Sequence, residues 1–145
     1  MTADSSAALR FDVEMRYRPG MPPVGRPRDQ PGEYLGSGDG TITGRGLDGT
    51  IRWDLNEQIG PDACQMFFAG VVRTQEGTTI SFESMGFGQV TDPATAPTRW
   101  VVTAAARFVT DDARYAWLAA LPLTWLGEFD MDTYEHRYRI LRPAS

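Results

Sequence analysis

Tyr34-Leu-Gly-Ser-Gly-Asp-Gly-Thr-Ile-Thr-Gly-Arg-Gly-Leu-Asp-Gly-Thr-Ile-Arg-Trp53 sets glycines at 36, 38, 40, 44, 46 and 49 among alternating apolar and polar residues. Glycine alone accepts the positive φ of sharp bends and bulges, so the stretch predicts tightly bent β-structure. It contains a literal GxGxxG at Gly44–Gly49, the dinucleotide-binding pattern. That pattern needs a helix to follow it, so that a pyrophosphate meets the helix N-terminus. Here Thr50–Leu55 follows, with Ile51, Trp53 and Leu55 on one face, and reads as a strand. Bends in a barrel explain these glycines better than a nucleotide does.

Working outward, period-2 alternation recurs. Leu9, Phe11, Val13, Met15 and Tyr17 face one way, and Arg10, Asp12, Glu14 and Arg16 the other. Strands are predicted over 9–17, 41–45, 50–55, 64–74, 78–87, 99–109, 123–129 and 133–141. Polar turns are expected at 36–40 and 56–63, and a hairpin turn at Gln75-Glu-Gly77. Residues 18–32 carry prolines at 19, 22, 23, 27 and 31 and predict a loop or flap. The period changes once. Residues 111–121 predict a short α-helix, capped by Thr110 and stopped by Pro122. The fold class is therefore all-β: one domain over residues 1–145, an antiparallel barrel of about eight strands with one short helix.

Composition excludes several chemistries. All fourteen basic residues are arginine, which removes Schiff-base, pyridoxal-phosphate and phosphate-loop lysine mechanisms. The net charge of -5 disfavours nucleic acid and anionic membrane as partners. No apolar run reaches the ~20 residues of a membrane-spanning helix. One cysteine, Cys64, and one histidine, His136, give neither an intrachain disulfide nor a zinc site, so no metal and no cofactor are expected. With no signal-peptide pattern at the start, the expected location is cytoplasmic.

The residues left for chemistry are few. Tyr134, His136, Tyr138 and Ile140 share a face. If that face is inside, His136 lies beside two phenols as a proton-transfer set; otherwise it is a structural or surface histidine. Glu83 and Arg107 occupy neighbouring strands. Turned inward they require each other or a ligand, Glu83 as acid or base and Arg107 holding an anionic oxygen; turned outward they are solvated. The candidate catalytic residues are thus Glu83, His136, Tyr138 and Arg107. Trp53, Met66, Phe68, Trp100, Trp125 and Tyr134 are candidates for a cavity wall.

The order Gly36-Ser-Gly-Asp-Gly40, Gly44, Leu47, Gly49 and Trp53 continues with Met66, Phe68-Ala-Gly-Val71, Phe82-Glu83 and Gly86-Phe-Gly88. It ends with Arg107-Phe108, Thr110-Asp-Asp112, Tyr115-Ala-Trp-Leu118, Trp125, Gly127-Glu-Phe-Asp130 and His136-Arg-Tyr138. As a set these resemble the uncharacterised family called domain-of-unknown-function 3237, related to uncharacterised protein family 0311, over roughly residues 11–139. Ala119-Ala120 departs from the asparagine expected in many relatives. The resemblance implies a small barrel with a calycin-like cavity and carries over no catalytic residue.

Three functions fit these features. The first is a cofactor-independent isomerase, cyclase or lyase acting on a small apolar or aromatic molecule. The second is a carrier or sensor with the same cavity, and the third an interaction protein with a filled barrel. A homodimer is compatible with all three.

Overall fold

The computed structural model describes residues 9–19, 24–25, 31–61 and 63–142. Among them nine strands form one antiparallel sheet: β1 (Arg10–Tyr17), β2 (Val24–Gly25), β3 (Gly32–Gly44), β4 (Gly49–Ile59), β5 (Ala63–Thr74), β6 (Thr79–Gln89), β7 (Arg99–Val109), β8 (Leu123–Asp130) and β9 (Glu135–Leu141). From β3 to β9 each strand pairs with the next. β1 then pairs with β9 on one side and β3 on the other, which closes an eight-stranded barrel. β2 is a two-residue addition beside Tyr34 and Leu35 and the only described strand in the proline-rich flap, much of which lies outside the described residues. Closure removes the sheet edges that would otherwise present unpaired backbone groups.

Alternation decides which side chains enter the barrel. Phe11, Val13 and Met15 of β1, Ile51, Trp53 and Leu55 of β4, and Trp100, Val102 and Phe108 of β7 all point inward into one contiguous core. Two strands run further than expected. β3 is continuous through Gly36–Gly40, where a turn was predicted. β4 continues through Asn56–Ile59, and β5 begins at Ala63, so both strands run into the segment where the polar turn was expected. The extension of β4 is held partly from outside, where Asn56 Nδ2 and Gln58 Nε2 both donate to Glu33 Oε2 at 3.2 Å.

The glycines also need a different explanation from the one the sequence suggested. Of the six in the opening stretch, only Gly46 has a left-handed φ, 86°. Gly36, Gly38, Gly40 and Gly44 instead occupy inward positions of β3, where a side chain would strike the neighbouring strand β1 or a ring of the core. They are small to make room, not to bend.

The two ends of the barrel differ. At one, the segment after β7 folds across the opening. The helix expected over 111–121 is here a 3₁₀ turn, Ala113–Tyr115, followed by a single helical turn, α1 (Ala116–Ala119). Asp112 rather than Thr110 caps it, accepting from the Arg114 amide at 2.9 Å, while Thr110 Oγ1 accepts from the Asp112 amide. Tyr115, Leu118 and Leu47 are buried there and plug that end. Leu118→Ala is expected to cost about 3 kcal/mol, the usual loss for a fully buried leucine, read as a lower urea midpoint at unchanged slope.

Candidate functional site

Strand direction brings the polar interior residues to the other end. Tyr17 ends β1, Tyr34 lies near the start of β3, Glu57 near the end of β4 and Cys64 near the start of β5. Phe129 lies near the end of β8, and His136 begins the inward set of β9. All six side chains are buried.

Glu57 is the unexpected member. It continues the inward series Ile51, Trp53, Leu55 and is only 3% exposed. Among the described residues no hydrogen bond or ion pair reaches its carboxylate. Burial penalises the ionised form and pushes its pKa up to about 7. Its charge acts on the groups around it. Burial first, then Glu57, raises the Tyr17 phenol well above the phenol range and the Cys64 thiol to about 12. Cys64 is therefore a buried, unreactive thiol.

His136 is fully buried in an aromatic box. Its ring stacks on Phe129 at 4.1 Å between centroids, meets Trp53 at 5.3 Å and Phe68 at 5.5 Å edge-on, and lies 5.5 Å from Tyr17. Burial lowers its pKa to about 3, so the imidazole is neutral at physiological pH. Nδ1 is 2.7 Å from the Tyr138 hydroxyl, while Nε2 has no partner. The Tyr17 hydroxyl also lacks a partner. Deeper in the barrel the same is true of Trp125 Nε1 and Ser84 Oγ. Most buried polar atoms in proteins are hydrogen-bonded, so four such side-chain atoms in one lumen, besides Glu57, are a concentration of unmet polarity. Tyr134 stands at the rim with φ 59°, unusual for a bulky residue, and its ring sits 5.5 Å from that of Tyr17.

The four candidate catalytic residues divide into two pairs. His136 and Tyr138 lie inside and are joined. Glu83 and Arg107 lie on the outer face, where Arg107 Nε donates to Glu83 Oε1 at 2.6 Å. Phe82, Ser84, Ala106 and Phe108 take the inward positions of those strands, so the charges fall to the solvent side, where hydration makes them inexpensive. Glu83 and Arg107 therefore cannot act on anything in the lumen. The wall candidates Trp53, Met66, Phe68, Trp100 and Trp125 are all inward and pack together as core, and Tyr134 is half-buried against them. Two of the indoles are anchored: Trp53 Nε1 donates to the Asp39 carbonyl at 3.2 Å, and Trp100 Nε1 lies 2.9 Å from Met131 Sδ.

The GxGxxG residues form the β3–β4 hairpin, with no helix after them. No group of three or more potential metal ligands occurs among the described residues, and none of the described helices is long and apolar enough to cross a membrane.

No protein-family model matches the chain, and no curated protein does. Solved structures do match in shape. A protein of unknown function from Clostridium acetobutylicum superposes with a TM-score of 0.70 at 16% identity, covering 90% of this chain and 92% of that one. A β-barrel-like protein from Acinetobacter baumannii gives 0.72 at 13% identity, covering 91% of each. An enzyme from Penicillium herquei gives 0.60 at 18% identity, covering 91% of this chain and 90% of that one. At such identities the likeness concerns the fold: all are similar to this chain as small barrels.

Proposed function

We propose that this chain binds a small apolar or aromatic molecule at the Tyr17–Glu57–His136 end of its barrel and acts on it by acid–base chemistry as an isomerase, cyclase or lyase, with no cofactor of its own. The observation that carries this reading is the Glu57 carboxyl: buried, without a hydrogen-bond partner among the described residues, and tuned to about 7. An acid–base group is most effective when its pKa lies near the working pH. A buried carboxyl with no partner is costly to a fold and is retained most readily where it serves a reaction. In this reading Glu57 takes a proton from a carbon or hydroxyl acid. The Tyr17 hydroxyl donates to the oxygen that gains charge, and the neutral His136–Tyr138 pair lines the floor. The surrounding aromatic rings favour a flat substrate. The Penicillium herquei neighbour is described as an enzyme, and the resemblance to the domain-of-unknown-function 3237 barrels implies a calycin-like cavity.

A second reading, an interaction protein with a filled barrel, is favoured by one observation: the aromatic residues of the middle lumen pack against one another as core.

Native mass spectrometry of the full chain, with tryptophan emission followed during titration with a panel of phenols and aromatic ketones, separates the two. The catalytic reading expects a bound species and, with the compound so found, turnover that falls at least ~100-fold in Glu57→Gln with KM little changed. No adduct and no spectral response would overturn it in favour of the filled barrel. A compound bound but turned over equally by Glu57→Gln would remove Glu57 from the mechanism.

A further inference from the structure

The outer face of the barrel is not uniform. β1 presents Arg10, Asp12, Glu14 and Arg16 outward, and β4 presents Arg52, Asp54, Asn56 and Gln58. Across β5, β6 and β7 this polar pattern breaks. Phe67 is 37% exposed, Met85 54%, Phe87 65% and Val101 36%. The sheet register makes them neighbours: Phe67, Met85 and Ala105 form one row, and Phe87 lies beside Thr103 in the next. Three strands by the five residues from Met85 to Gln89 give this apolar patch a footprint of about 14 by 17 Å from ordinary strand spacings.

We propose that this face is a homodimer interface, in which a second copy of the chain packs by a two-fold axis lying in the interface along the β6–β7 seam. The argument is self-complementarity. An axis along that seam sets each β6 residue against its β7 row-mate in the other copy. Large residues then meet small ones: Met85 meets Ala105, and Phe87 meets Thr103. The charged row obeys the same operation, because Glu83 meets Arg107 of the second copy and Arg107 meets Glu83, so the pair that closes within one chain can also close between two. A hollow of about 220 Å³ over Ala105, flanked by Phe67, Met85 and Arg107, provides the recess into which the second copy's Met85 fits. An axis along β6 itself would instead oppose Glu83 to Glu83, which selects the seam. Two sheets packed face to face in near alignment are an ordinary β-sheet contact.

Sedimentation velocity and light scattering on the full chain test this. The wild type is expected to be dimeric at tens of micromolar. Ala105→Trp fills the recess from a solvent-facing position and should raise the dissociation constant at least tenfold while leaving the circular dichroism and melting temperature of the monomer intact. The charge variants supply the second arm. Glu83→Arg and Arg107→Glu should each dimerise poorly alone, and an equimolar mixture should form the heterodimer, since one then carries two cations where the other carries two anions. A monomeric wild type at 100 µM, an Ala105→Trp dimer of native affinity, or a mixture that stays monomeric would each overturn the proposal. The test is independent of catalysis, since none of these side chains faces the lumen.

Discussion

Glu57→Gln is expected to steepen the acid unfolding of this protein, although it removes an acid. Two buried groups set opposite slopes. Folded Glu57 keeps its proton up to about pH 7, whereas in the unfolded chain it releases it near 4.5. In that window the folded state binds more protons, so the contribution of Glu57 is fully present below 4.5 and is lost as pH rises through 7, about 3 kcal/mol in all. His136 runs the other way. Unfolded, it takes a proton near 6.5; folded, not until about 3. Its contribution is complete above 6.5 and is lost as pH falls towards 3, on the order of 5 kcal/mol. Between 4.5 and 6.5 the two nearly cancel, and the wild type should show a flat profile from this pair. With Glu57 replaced by an amide, the His136 slope is unopposed. From pH 6.5 to 4.5 the variant should lose about 3 kcal/mol more than the wild type. Urea midpoints of both proteins at pH 4.5, 5.5 and 6.5 check this, because the remaining carboxylates contribute equally to each and drop out of the difference. Parallel profiles would mean that Glu57 is not buried as described.

How far the sequence leads to this site depends on how strictly alternation is followed. The strands at 9–17 and 99–109 are legible because long runs leave no ambiguity of face, and the closed barrel follows from their number and spacing. The end of β4 is not read in this way. Asn56, Glu57 and Gln58 look like a turn by composition, yet one more step of the Ile51, Trp53, Leu55 series places Glu57 inside. That step was the available signal, and polarity obscured it. Glu83 and Arg107 show the converse: the apolar series through Phe82 on one strand and through Ala106 and Phe108 on the other fixes an outward face for both. His136 and Tyr138 are legible as a pair from spacing alone. Their 2.7 Å contact and the box around them are not, because Trp53, Phe68 and Phe129 arrive from three other strands. The short helix is legible from its composition and only its length differs, because the segment crosses the end of the barrel as a 3₁₀ turn and one helical turn.

A methyl group at position 38 is expected to destabilise the protein more than the loss of Leu118 does. Gly38 lies between Tyr17 of β1 and Trp53 of β4 in the sheet register. The two rings meet across it edge to face, 4.9 Å between centroids. A Cβ there would lie 2.6 Å from Trp53 Cζ2 and would also strike the Arg16 carbonyl oxygen of the paired strand. The ring could turn away, but the carbonyl belongs to the β1–β3 ladder and could move only by opening it. Gly38→Ala should therefore cost more than about 4 kcal/mol, the range reserved for overpacking a site that cannot relax, and Gly38→Val should not fold at 25 °C if the protein has ordinary stability. Gly77→Ala is the control. That residue also resists substitution, with φ 93°, but nothing stands within 4 Å of the added carbon, so only left-handed strain of about 1–2 kcal/mol applies. Denaturant midpoints of the two variants separate close approach from backbone conformation as the reason for glycine. Equal losses would return the glycine-rich stretch to its first reading as a set of bends. The larger loss at 38 ties that stretch to the site instead, because what Gly38 admits is the Trp53 ring, which forms one wall of the box around His136 at 5.3 Å.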